Sequence, residues 1–107
     1  MIKPNYKPPF SRFVRKAHKP LQLAIEDAVE EVCANPESGD AKTGDLAGIR
    51  VFKFKFNCQE YLIAYRPAAA GSRRPRADVE LLLVDFYHVG VHEKFYDELK
   101  RYLKSGG

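Results

Sequence analysis

The sequence predicts an α+β fold: an N-terminal helical hairpin packed on a small antiparallel sheet of three to four strands, with a C-terminal helix. Three observations predict it. Apolar residues recur at helical spacing through residues 20–35. The pattern then switches to strict alternation over Ile49 to Phe56. Helical spacing returns in an amphipathic stretch, Val91 to Leu103.

Taken in order, the chain opens with Pro4, Pro8 and Pro9. Proline fixes φ and lacks an N–H, so residues 1–8 are irregular or at most an edge strand. A short helix follows, from about Pro9 to Lys16, with Phe10, Phe13 and Val14 on one side. A longer helix runs from Pro20 to Asn35. Its stripe is Leu21, Ala24, Ile25, Ala28, Val29 and Val32, while Glu26, Asp27, Glu30 and Glu31 turn to water. Pro20 suits a first helical turn, and Asn35-Pro36 ends the helix. The two helices share an apolar face that needs a sheet to cover it.

Residues 36–48 form a polar, glycine-bearing loop. In the strand that follows, Arg50, Phe52, Phe54 and Phe56 share one face, and Ile49, Val51, Lys53 and Lys55 the other. Asn57 to Gln59 turn the chain into a second strand, Glu60 to Arg66, rich in β-formers. Pro67 to Ala77 is a basic loop carrying Arg73, Arg74 and Arg76. Asp78 to Tyr87 is a third strand, apolar on both faces in its middle and therefore central or covered on both sides. The last helix aligns Phe95, Leu99, Tyr102 and Leu103, and flanks or crosses a sheet edge. Ser105 to Gly107 read as a tail.

The chain of 107 residues fits one domain, 1–107, and its 45% hydrophobic content is enough for a core. Lys and Arg outnumber Asp and Glu 18 to 14, a net charge of +4 that favours polyanionic partners, nucleic acid or an acidic protein. Cys33 and Cys58 are too few for a disulfide framework and read as reduced thiols of a cytoplasmic protein. No CxxC or HExxH spacing is present, so neither a metal nor another cofactor is expected. No signal-peptide pattern and no run long and apolar enough to span a bilayer appears.

The segment Gly44-Asp45-Leu46-Ala47-Gly48, leading into Ile49–Phe56, resembles the loop and first core strand of RelE/ParE toxins, where a G-x-L-x-G stretch precedes a basic strand. Tyr61-Leu62-Ile63-Ala64-Tyr65-Arg66 is similar to their next strand, and Leu81 to Phe86 to the one after. His92-Glu93-Lys94-Phe95-Tyr96-Asp97-Glu98-Leu99-Lys100-Arg101 resembles the H-E-N-F-Y-x-x-L-K-R ending of one RelE-like branch. The resemblance covers nearly the whole chain. It implies a compact toxin of a type II toxin–antitoxin system, held by a cognate antitoxin and binding operator DNA only as the toxin–antitoxin complex. Its RNase members, the mRNA interferases, bind the ribosomal A site and cut mRNA without a metal, inhibiting translation. Its ParE-type members poison DNA gyrase. A non-toxic basic binding module is the third alternative.

RNA cleavage by a 2′-OH needs a proton acceptor, a cation for the five-coordinate phosphate and an acid for the leaving oxygen. Lys53 and Lys55 stand on the face opposite the phenylalanines, either as phosphate-stabilising or proton-relaying groups or as a solvated sheet face. The resemblance places them on the two strand lysines of the RNase members. It also places the usual catalytic arginine at Leu62, a departure that leaves Arg50 or Arg66 as substitutes, or the histidines. His92, opening the last helix, is an acid–base candidate, where a helix N-terminus disfavours a cation. Its structural alternative is an exposed helix residue. His88-x-x-x-His92 has the spacing of a metal pair, but Gly90 argues against one continuous helix. Tyr96 is the aromatic candidate for base stacking or proton transfer, with Tyr87 behind it. Phe95 belongs with Leu99 in the core. Arg50, Arg66, Arg73, Arg74 and Arg76 are the RNA- and phosphate-binding candidates.

Overall fold

The computed structural model describes residues 2–67 and 82–105. In these residues the order is β1 (Ile2–Tyr6), α1 (Pro8–Lys16), α2 (Lys19–Ala34), β2 (Asp40–Ala41), a 3-10 turn (Gly44–Leu46), β3 (Arg50–Phe56), β4 (Gln59–Arg66), β5 (Leu82–Val91) and α3 (His92–Lys104). The strands form one mixed sheet in the order β1-β5-β4-β3-β2.

Both first helices begin with a proline in their first two positions, where the missing N–H costs nothing. Arg15 and Lys16 end α1 at its negative pole. α2 stops at Ala34, just before Asn35-Pro36. The two helices deliver Phe10, Leu21, Ile25, Val29 and Val32 to one core, closed from the sheet by Ile63, Tyr65, Val84, Phe86 and Val89. Phe52, Phe54 and Phe56 pack against that core only half-buried. The opposite sheet face carries a second core: Ile49, Val51, Leu62, Ala64 and Tyr87, capped by Phe95 and Leu99 of α3 and by Leu46. Leu46 projects from the 3-10 turn, and Gly48 follows at φ +89°, a conformation open to glycine that swings the chain into β3.

Four expectations need correcting. The sheet has five strands and is mixed, because β1 pairs parallel to β5. Residues 2–6 are therefore a full edge strand, joined to β5 also by Asn5 Nδ2 donating to Asp85 Oδ1 at 2.7 Å. The 36–48 loop contains β2, which pairs Asp40 and Ala41 with Val51 and Arg50. The third predicted strand runs on to Val91, its first residues lying outside the described ones. The last helix covers a sheet face rather than flanking an edge, since Phe95 and Leu99 are fully buried against Leu62 and Ala64.

One irregularity shapes the second face. Ala64 pairs with His88 and Tyr65 with Phe86, so Tyr87 is an extra residue in β5, a β-bulge. The bulge lets Tyr87 enter the second core while the next side chain, His88, stacks on Phe95 at 5.2 Å.

The loop before β2 is fixed by a buried phenol. Tyr65 is fully buried, donates its hydroxyl hydrogen to Pro36 O at 2.7 Å and accepts from Gly39 N–H at 2.9 Å. A Cβ on Gly39 would lie 2.7 Å from that hydroxyl and 2.9 Å from Val51 O, so no larger residue fits there. Replacing Tyr65 by Phe leaves the Gly39 N–H buried without a partner, and urea unfolding should register a loss of about 1–3 kcal/mol. An unchanged unfolding midpoint would show that the hydroxyl does not anchor the loop.

Candidate functional site

The sheet face under α3 gathers the charged and aromatic groups. β3 alternation turns Val51, Lys53 and Lys55 to this face. Val51 is buried, and both lysines, beyond the reach of the helix, are exposed. In register, Lys53 lies opposite Leu62, Leu62 opposite Gly90, and Lys55 opposite Glu60. The lysines thus stand near the end of the sheet where β5 passes into α3. His92 is the first residue of that helix and is exposed. One turn later Tyr96, half-buried, meets the His92 ring edge-on at 5.9 Å. Of the predicted set, Lys53 and Lys55 share the α3 side of the sheet with His92 and Tyr96, and of these His92 and Tyr96 touch.

A residue that sequence reasoning missed adjoins Tyr96. Lys42 Nζ lies 5.5 Å from the centre of the Tyr96 ring, a cation–π contact. The backbone of Lys42 is held by donation from its N–H to Ile49 O at 2.9 Å. Nothing local in the sequence signals this contact, because it spans the 3-10 turn and three strands.

The arginines divide. Arg50 lies on the opposite face with the phenylalanines. Its Nη1 donates to Gly39 O at 2.6 Å and Glu37 O at 3.1 Å, so it ties down the loop before β2. Arg66 is exposed and shares a face with Leu62 and Ala64, its guanidinium 5.6 Å from the centre of the Tyr87 ring. Lys7 lies over the same ring at 5.9 Å. Arg73, Arg74 and Arg76 fall outside the described residues. Leu62 is fully buried beneath α3, so its position serves the second core.

His88 and His92 do not form a pair: one is in β5, the other in α3. Among the described residues, no three His, Cys, Asp or Glu side chains gather in a way that could hold a metal ion. No helix there is long and apolar enough to cross a membrane. His88 Nε2 instead meets Glu98 Oε1 at 3.0 Å. Burial pushes the His88 pKa below its ordinary 6.5, further helped by the Arg12 charge and only partly opposed by Glu98.

That depression has a sign for stability. Above 6.5 His88 is neutral in both folded and unfolded chains. As pH falls through that value the unfolded chain takes up a proton that the folded one resists, so stability drains away until pH drops beneath the folded pKa. Urea midpoints at about pH 7 and about pH 5.5 should therefore differ more for the native chain than for His88→Gln. Equal differences would mean that His88 carries no such linkage.

Residues 5–100 match the family described as ParE-like toxin of type II bacterial toxin–antitoxin system. No curated protein and no solved structure matches the chain. The match runs from β1 into the last helix and takes in both cores. The chain belongs to the ParE-like toxins of type II toxin–antitoxin systems, and membership implies an antitoxin protein as its partner.

Proposed function

We propose that this toxin inhibits translation by cutting ribosome-bound mRNA, through attack of the substrate 2′-OH on the adjacent phosphate. The observation that carries this reading is that exposed Lys53 and Lys55 share the α3 side of the sheet with His92 and Tyr96, which touch each other, and with Lys42, which lies over the Tyr96 ring. No metal takes part in the proposed chemistry, as in the RNase toxins the sequence resembles. His92 accepts the 2′-OH proton. Lys53 and Lys55 steady the charge that builds on the phosphate oxygens, and Tyr96, its ring held against Lys42, protonates the departing 5′ oxygen. The products are a 2′,3′-cyclic phosphate and a free 5′-hydroxyl. Arg66, with the basic segment carrying Arg73, Arg74 and Arg76, adds sequence-independent phosphate contacts to the ribosome or mRNA. Arg50, bound to two loop carbonyls, is left out of the site. The cytoplasm is where such a substrate is met, and the antitoxin silences the toxin by covering the basic face. Operator DNA is contacted only within the toxin–antitoxin complex.

A second reading rests on Leu62. The RNase members carry an arginine there by resemblance, whereas here the position is buried hydrocarbon. That favours a ParE-type poison of DNA gyrase, a binding function on the same fold.

The test expresses the chain without its antitoxin and follows growth, mRNA integrity and gyrase supercoiling together. Lys53→Ala and His92→Ala should each lower mRNA cleavage by roughly 10²-fold or more while leaving the fold intact. Growth arrest with intact mRNA and blocked supercoiling would establish the gyrase reading instead. Harmless expression would make the chain a binding module.

A further inference from the structure

On the other flank of α3, away from Tyr96, lies a groove of about 600 Å³ between α1 and α3, floored by the bulged end of β5. Arg12 and Lys16 reach it from α1, Arg101 and Tyr102 from α3, and the hydrogen-bonded pair His88–Glu98 forms its floor. We propose that this groove is a nucleotide site, holding a phosphate between Arg12, Lys16 and Arg101 with the base against the Tyr102 ring.

Three cations are brought together here by two helices from opposite ends of the chain. Glu98, the acidic group of the groove, is hydrogen-bonded to His88, which is neutral at pH 7, so it keeps its single negative charge. Three cations against one carboxylate leave the lining with a net positive charge, which an incoming phosphate would offset. Guanidinium forks match phosphate oxygens in pairs, and Arg12 of α1 and Arg101 of α3 both line the groove. Tyr102 is half-buried and braced by Tyr87 at 6.3 Å, so its ring is held for stacking. The volume is that of a small-molecule pocket, enough for one nucleotide. A run of acidic residues would use the cations but brings no aromatic ring to stack on Tyr102. The site is separate from the proposed cutting site, because Tyr96 faces Lys42 on one flank while Glu98 and Arg101 face α1 on the other.

The ligand is a phosphorylated nucleoside, either free or as a link in an RNA chain. The full chain is titrated with a 5′-mononucleotide, a ribo-trinucleotide, inorganic phosphate and a hexaglutamate peptide, followed by amide and imidazole NMR. The mononucleotide should saturate, move the Tyr102 and Arg101 signals, and raise the pH at which the His88 ring titrates. Arg12, Lys16, Glu98, Arg101 and Tyr102 face that ring from both helices, and a bound phosphate offsets the cations among them. Arg12→Gln with Arg101→Gln, both exposed positions, should weaken binding by about tenfold or more, and Lys53→Ala should leave it unchanged. A trinucleotide bound more tightly than the mononucleotide assigns the site to an RNA chain, and equal binding assigns it to a free nucleotide; either supports the proposal. Inorganic phosphate binding as well as the nucleotide would reduce the groove to an unspecific anion site. Preference for hexaglutamate would make it a protein contact. Binding lost in Lys53→Ala but kept in the double variant would move the ligand to the other face. Each of these three results overturns the proposal.

Discussion

The hydroxyl of Tyr65 is the constraint on which the arrangement of the candidate site depends. A phenol buried in a sheet must find partners for its oxygen and hydrogen, and here the partners are Gly39 N–H and Pro36 O. That pair holds the chain leaving α2 against β3, where Arg50 closes it by donating to Gly39 O and Glu37 O. β2 then pairs with β3, and Lys42 follows two residues after β2 begins, close to Tyr96. A hydrogen bond inside one core thus positions a cation on the other side of the sheet.

α3 divides that side in two. Phe95 and Leu99 seat the helix on Leu62 and Ala64, and their full burial fixes its rotation. One flank then presents Tyr96 toward Lys42, with His92 against Tyr96, and the other presents Glu98, Arg101 and Tyr102 toward α1. The bulge at Tyr87 matters for the second flank, since the register shift accompanies the stacking of His88 on Phe95 within reach of Glu98.

What was legible in the sequence was what is local. The stripe from Leu21 to Val32 marked α2, and the alternation of phenylalanine with lysine marked β3 and put Lys53 and Lys55 in water. β1 was only half legible, because its pairing partner Asp85 is 80 residues from Asn5 and its proline argued against a regular strand. β2, two residues long, is too short to leave a pattern. Leu62 reads as a lost arginine beside the family motif, yet in the fold it is a core residue that receives α3. Arg50 reads as a phosphate-binding candidate because its acceptors are backbone carbonyls, which no side-chain pattern announces. Lys42 and the His88–Glu98 pair were invisible for the same reason: each is made by tertiary packing alone.

The central claim is that the basic end of the α3 face cuts RNA. It is tested most directly by incubating the purified toxin with ribosomes programmed with a defined mRNA and determining the chemistry of the new ends. The account predicts fragments ending in a 2′,3′-cyclic phosphate and beginning with a 5′-hydroxyl, absent when Lys53→Ala replaces the native chain. Intact mRNA on those ribosomes, with the native toxin folded and present in excess, would contradict it.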